Sequence, residues 1–593
     1  MCGIAATICP PERNIEAIGG DDASYLKRRG PDHFGTLTVT DHRHGHVINV
    51  SASLLHLRGT APVAQPISQA SGGILAWNGQ LYDGLGISAH EPSIGNISDT
   101  VALAGAVTLV ESESASAADF VQALRDLLEA TEAEFALVVY SARFSVLVYA
   151  RDPLGRRSLL AVRGNGSLQI ASVHLVAATD DMVMEVPADG VHWIDLGSSS
   201  GQELVEETVP WLRPLTAINM SLDVRLEPPF HPQVLPPLAT LPAAVQTAAS
   251  DLLQSLSTAV RARVLATPAV PSANDYASAP IGILFSGGID CSVVAALAHQ
   301  HLPAHVPIDL INVAFENPRA LAAVKGAVAV DPYLVPDRKT ARARLSELQT
   351  VFPDRHWRLL ERNVPYAQVV VHRARIMDTM APLHSTMDAS IAMALWFAVS
   401  PPDVVPILPF SPPLLDAQTS TMVLEDEPDI PRVLLSGLGA DEQLGGYSRH
   451  RGAYDAVMAR ASSAPTTEPS TAEDAAWSAL ADQVQLDVSR IATRNLGRDD
   501  RAIGDHGREV RFPFLDTRVV RLLNSVPIGV KCDPRWRRGV GDKILLRLLT
   551  RDLLGLAAAA GEEKRALQFG ARSAKLEVGS GKSVGTMDAR IVK

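Results

Sequence analysis

Pro228, Pro229, Pro232, Pro236 and Pro237 interrupt the chain near its middle, and the hydrophobic period differs on the two sides of them. Proline fixes φ and lacks an N–H, so neither a helix nor a central strand continues through such a stretch. Upstream, short alternating apolar runs such as 73–77 and 136–140 recur between Gly, Asn and Asp turns, the pattern of strands. Downstream, long helical periods beginning at Ala243 alternate with apolar runs at 281–285 and 432–435, the pattern of a parallel sheet covered by helices. Two domains follow as the expectation: a β-rich one over residues 2–225 and an α/β one over 241–575, joined by a linker at 226–240.

The length of 593 residues allows two cores of useful size. A formal charge of −12 offers no basic footprint for nucleic acid. No basic leader or long apolar run marks a secreted or membrane-spanning chain, and four cysteines without paired short spacings suit a reducing compartment, so cytoplasm is expected. Composition reads 401–431 and 461–472 as loops and 576–593 as a disordered tail. Within that tail, Gly579-Ser580-Gly581-Lys582-Ser583 ends like a phosphate loop but lacks the first glycine and a preceding strand. His42, His44 and His46 alternate without matched acidic or sulfur ligands, which reads as a solvated hairpin.

Two places carry chemistry. Removal of Met1 would leave Cys2 with a free α-amine beside its thiol, and an amine titrating near pH 7.7–8 can take the thiol proton. The alternative is a chance cysteine. The second place is Ser286-Gly287-Gly288-Ile289-Asp290, lying between an apolar run and a helical one. Glycines admit a close backbone approach, and a helix N-terminus offers N–H groups to phosphate; a plain βα turn is the alternative.

Further strings fall in a telling order. Cys2-Gly3-Ile4, Arg28-Arg29-Gly30-Pro31-Asp32, His56-Leu57-Arg58 with Gln65-Pro66, Trp77-Asn78-Gly79-Gln80-Leu81-Tyr82, Ser98-Asp99-Thr100 and Arg151-Asp152-Pro153-Leu154-Gly155-Arg156 together resemble the class II glutamine amidotransferases. The glycine loop, the run from Ser436-Gly437-Leu438-Gly439-Ala440-Asp441 to Tyr447, and Glu509-Val510-Arg511-Phe512-Pro513 resemble the ATP-pyrophosphatase half of asparagine synthetases. The resemblance spans nearly the whole chain. It implies an α+β Ntn-hydrolase glutaminase sandwich followed by an α/β parallel-sheet ATP-pyrophosphatase domain.

It also implies roles. Cys2 is the nucleophile, and Asn78 with Gly79 forms the oxyanion hole and part of the glutamine site. Arg58 and Asp99 bind the glutamine carboxylate and ammonium. Phe285, Ser286, Gly287, Gly288, Asp290, Val313, Ser436, Gly437 and Arg501 bind ATP, and Asp290 and Asp441 hold Mg²⁺. Arg498 falls with Arg501 where that family carries basic residues. The partners implied are glutamine and a carboxylate acceptor, aspartate by analogy.

Two positions depart. Synthetases carry a glutamate where this chain has Leu438 and a lysine where it has Ala566, and these changes, with 309–315 and 387–391, most resemble the asparagine synthetase domain-containing subgroup. A glutamine-hydrolysing amidotransferase is expected, its rivals being a degenerate ATP- and glutamine-binding regulator and a stand-alone glutaminase.

Overall fold

The computed structural model describes residues 2–10, 20–164, 166–174, 183–198, 204–215, 217–221, 225–226, 233–267, 279–316, 331–410, 429–463 and 469–576. The expected disordered tail and its glycine-lysine string lie almost wholly outside these residues.

The N-terminal strands are β1 (Gly3–Cys9), β2 (His33–Thr40), β3 (Val47–Leu54), β4 (Ile67–Ser68), β5 (Ile74–Asp83), β6 (Glu132–Ser141), β7 (Val146–Arg151), β8 (Leu160–Gly164), β9 (Ser167–Ala171), β10 (Val183–Glu185), β11 (Gly190–Asp195) and β12 (Glu206–Pro210). They form two six-stranded sheets, ordered β10-β8-β9-β1-β3-β2 and β12-β11-β7-β6-β5-β4. Alternation sorts the side chains. Ile4, Ala6 and Ile8 of β1 meet Ile74 and Ala76 of β5 in the core between the sheets. On the other face of β5, Leu75 and Trp77 pack with Leu103, Val107, Phe120 and Leu124 of the helices Asp99–Glu113 and Ala117–Glu129. Leu26 of the helix Gly20–Arg29 packs with Ala5 and Ala171 on the outer side of the first sheet. Helix, sheet, sheet and helix stack in that order, which is the expected α+β sandwich.

The second half is built on β13 (Ile281–Leu284), β14 (Ile308–Phe315), β15 (Trp357–Val364), β16 (Ile407–Pro409), β17 (Val433–Leu435) and β18 (Glu509–Arg511), ordered β16-β15-β14-β13-β17-β18. All neighbours are parallel except β16, an antiparallel edge. One face, with Ile281, Ile283 and Leu310, packs under the helices Ala243–Leu265, Ile289–His301 and Ile544–Asp552. The other, with Ile311, Val313 and Leu434, packs against Tyr366–Met380 and Thr386–Ala398. The chain reverses direction across β13, and ligands of open parallel sheets bind at such a switch point, beyond the strands' carboxyl ends.

Three stretches expected as linker or loop are partly built in. Leu226, Leu235 and Leu238 are buried in the second core. Residues 407–409 supply the edge strand, while 411–428 lie outside the described residues. The helices Ser448–Ser462 and Pro469–Ser489 reach into 461–472, where Ala472 is buried; an Ala- and Ser-rich composition suits close helix packing as well as a loop.

Buried charges join the halves. Across the halves Arg263 pairs with Glu134 at 2.8 Å and Arg29 with Asp500 at 2.6 Å, while Asp516, 2.8 Å from Arg263, and Arg157, 3.0 Å from Glu134, brace that first pair from their own sides. Buried charges persist only where they are paired, so the crossing contacts hold the two halves in one arrangement.

Candidate functional site

Cys2 precedes β1 and is buried. Its carbonyl accepts from Arg29 Nε at 3.2 Å, and the next residue's N–H donates to Ser53 Oγ at 2.9 Å. A Cβ on Gly3 would come within 2.8 Å of that Oγ, so only glycine fits beside the cysteine. Burial pushes the Cys2 thiol up, while a hydrogen bond from the Leu55 backbone pulls the other way.

Asn78 lies on β5, and both atoms of its amide are buried without a partner among the described residues. Such a group is costly unless a ligand completes it. Gly79 follows, where a Cβ would stand 2.5 Å from Glu134 O. Arg58 donates to the carbonyls of Leu81 (2.6 Å), Ile94 (2.9 Å) and Ile97 (2.8 Å), and Asp99 lies 3.8 Å away. Those three bonds take three of a guanidinium's five N–H groups. Asp99 accepts from Leu81 N at 3.2 Å and Thr100 N at 2.8 Å. One charge of each sign is therefore fixed around Leu81, at the far end of the strand that carries Asn78.

The second site lies at the carboxyl ends of β13 and β17. Gly287 has φ +81°, and a Cβ there would meet the backbone of Thr340 at 2.5 Å. Gly437 lies against Asp290, its own Cβ position 2.7 Å from Asp290 Cβ. These two glycines bring the loops together and place Asp290 beside Asp441. Lys543 Nζ stands 2.8 Å from both carboxylates, and Lys564 Nζ also bonds Asp441. Burial raises Asp441, but the two ammoniums outweigh it and hold the carboxyl well below its usual range. Burial raises Asp290, and Lys543 only partly offsets this.

A cavity of about 600 Å³ opens over this pair, lined by Phe285, Ser286, Gly288, Val313, Ser436 and Gly437 among others. Leu438 and Ala566 also face it. So do Arg494 and Asn495, carried by a π-helical turn at Ala492–Leu496, a local widening that often marks a working site. Asp337 is a cavity residue that the sequence patterns did not single out. Burial pushes it up to about 7, with Arg565 and Lys564 pulling down. As one acid near the first turn of the helix Pro336–Val351, it carries no pattern of its own.

Arg501 is a correction: it does not face the cavity. Its guanidinium is buried and donates to Thr379 O (2.8 Å), Ser158 Oγ (2.7 Å) and Glu185 Oε1 (2.6 Å), the last two in the N-terminal half, because a buried cation requires acceptors. Arg498 on the same helix does line the cavity, held by Asp388 at 2.7 Å. Arg501→Lys is expected to lower unfolding stability by about 2 kcal/mol, since one ammonium cannot span the three acceptors, and to leave ATP affinity unchanged. Denaturant titration beside nucleotide calorimetry checks it, and a selective loss of affinity would return Arg501 to the site.

Comparison with known proteins meets this geometry from another side. Residues 1–194 match the glutamine amidotransferase domain model, and 269–393 with 416–557 match the asparagine synthase model. Asparagine synthetase domain-containing protein 1 of Bos taurus is 32% identical over 97% of this chain and 96% of its own length, and the protein of that name from Homo sapiens gives the same figures. The chain belongs to the asparagine synthetase domain-containing protein family. A putative glutamine-hydrolysing asparagine synthetase of Methanocaldococcus jannaschii is 35% identical over a shorter stretch, 17% of this chain and 15% of its own. A probable glutamine-hydrolysing asparagine synthetase of Dictyostelium discoideum is 23% identical over 92% of this chain and 80% of its own length, so near-full-length similarity extends to named synthetases at lower identity. Among the described residues no helix is long and apolar enough to cross a membrane.

Proposed function

We propose that this family member hydrolyses glutamine at Cys2 within residues 2–225 and uses the ammonia at an ATP-activated carboxylate in residues 241–575, with aspartate as the analogous acceptor, in the cytoplasm. The observation that carries the reading is the buried, unpartnered Asn78 amide on the strand that ends at the Arg58–Asp99 pair, in a chain that also builds a carboxylate-lined cavity.

In the first half-reaction the α-amine of a processed Cys2 takes the thiol proton and sulfur attacks the glutamine amide carbon. The Asn78 amide and Gly79 N–H receive the developing oxyanion, the proton passes to the departing ammonia, and water then cleaves the thioester to glutamate and free Cys2. Arg58 and Asp99 hold the substrate's carboxylate and ammonium. In the second, Ser286 to Gly288 and Ser436–Gly437 cradle phosphates by their backbones.

Asp290 and Asp441 suit Mg²⁺: both are hard oxygen donors, and they face a single point that the Lys543 cation already touches at 2.8 Å from each. Mg²⁺ bound there would neutralise charge on a triphosphate. Among the described residues no third acidic, His or Cys ligand joins them, so substrate and water would complete the shell.

Asp290→Asn is expected to weaken binding of magnesium–ATP at least about tenfold, a change of 1.4 kcal/mol, because it removes a charge from the cation's surroundings. Titration calorimetry giving equal affinities would remove Asp290 from the site. For the whole reaction, ATP-dependent transfer of ¹⁵N from the glutamine amide to a carboxylate acceptor is the test. A second reading, a nucleotide- and glutamine-binding regulator, is favoured by the apolar Leu438 and Ala566 on the cavity wall. Under it, binding persists without transfer.

A further inference from the structure

We propose that Gln65 is a positioning residue for the nucleophile, its side-chain amide donating to the Cys2 sulfur while its oxygen is tied to the strand that carries Asn78 and Gly79. The inference rests on Cys2 as the nucleophile of the proposed glutaminase.

Gln65 is buried. Its Oε1 accepts from Trp77 N at 2.8 Å, and Nε2 lies 3.9 Å from Cys2 Sγ. The orientation of an amide is settled by its partners, and here they leave one choice. Trp77 N–H can only donate, so the oxygen must face it and the NH₂ must face sulfur. Trp77 immediately precedes Asn78 on β5. A single side chain thus links the attacking atom to the residue before the two oxyanion donors.

The backbone around Gln65 leaves little room for drift. A Cβ on Gly35 of β2 would come within 2.5 Å of Gln65 O. The Leu55 backbone also lowers the thiol's pKa, against the effect of burial. Sulfur is otherwise in a place that disfavours its ionised form, being buried and within reach of the Asp99 and Glu509 charges. A donor on Sγ stabilises the thiolate more than the thiol and restrains the χ1 swing that would carry sulfur away from β5.

Gln65→Glu separates this role from packing. Glutamate has the same shape and keeps an oxygen for Trp77 N–H, but it removes the donor and puts a carboxylate oxygen against the sulfur. Alkylation of Cys2 by iodoacetamide across pH, followed on the Cys2 peptide by mass spectrometry in the full-length processed protein, reads the sulfur directly. The charges facing it, Asp99, Glu509 and the α-amine, are the same in both proteins. At pH 7 the variant is expected to alkylate at least about tenfold more slowly, with the midpoint of its profile moved up by about one pH unit, the displacement that one charge-assisted hydrogen bond accounts for.

Gln65→Met, which fills the space without a donor or a charge, should fall between the two and serves where the glutamate variant does not fold. A merely structural role would change melting temperature and leave the midpoint in place. Midpoints within 0.2 pH unit of wild type in both variants would overturn the proposal. Loss of the glutaminase reading shows separately, as glutamine hydrolysis that survives Cys2→Ala, because the alkylation profile reports on the sulfur whatever the protein does with glutamine.

Discussion

Cys2→Ala is expected to lower glutamine hydrolysis by roughly three orders of magnitude or more, the scale seen when a covalent nucleophile is removed, while ammonia-dependent chemistry in the second domain continues. The other thiols cannot take over. Cys9 lies in β1 with its side chain buried. Burial pushes Cys291 up to about 11 and Cys532 up to about 12, so neither is a thiolate near neutral pH. Cys2→Ser should fail almost as completely, since a hydroxyl is far less acidic than a thiol and the α-amine is a weak base. A tag placed before Cys2 should fail too, because it turns that amine into an amide. Glutamate release from the three proteins, beside calorimetry of ATP binding to show that the second domain is intact, makes the measurement. Retained hydrolysis in Cys2→Ala would sink the amidotransferase assignment, and full activity in the tagged protein would mean that another group is the base.

What could be read from the chain beforehand follows from where the forces are local. Gly287 and Gly437 were legible because a tight approach needs glycine, and the structure uses both to bring Asp290 to Asp441. The alternation of 73–77 and 136–140 gave the sheets, since period two is imposed by the strand itself. Arg501 was misplaced because its partners, Ser158 and Glu185, lie more than 300 residues away, and nothing near it in sequence shows which neighbours will claim a buried cation. The charges joining the halves were illegible for the same reason: Glu134 and Arg263 lie 129 residues apart with no local pattern that pairs them, yet both are buried against each other. Gln65 was visible only as part of a Gln-Pro pair, and its amide acquires a meaning once Trp77 N–H fixes its orientation.

With ammonia supplied directly, asparagine formation is expected to lie at least about a hundredfold below that of a full synthetase, because a positioned acid–base group is worth 10²- to 10⁴-fold and Leu438 is not one. Leu438 faces the cavity and packs against the same apolar cluster as Ile391 and Leu567, so no polar atom at that position can take a proton from attacking ammonia. Ala566 likewise presents no charge to a developing oxyanion. Lys543 and Lys564 stand close by, but both are tied into ion pairs with Asp290 and Asp441, and for Lys564 those carboxylates outweigh burial and raise it. A fixed ammonium can stabilise negative charge; it cannot accept a proton. Asp337, pushed up to about 7 by burial and lining the same cavity, is the first residue to test if turnover is found. The deciding experiment is ammonia-dependent asparagine production by wild type beside Leu438→Glu and Ala566→Lys, singly and together, each checked for folding because Leu438→Glu puts a carboxylate against the apolar cluster. A rise of about a hundredfold in the double variant would show that the two apolar positions alone hold the rate down. Robust wild-type turnover would refute that account, and Asp337→Asn, Lys564→Ala and Lys543→Ala would then show which side chain carries the work.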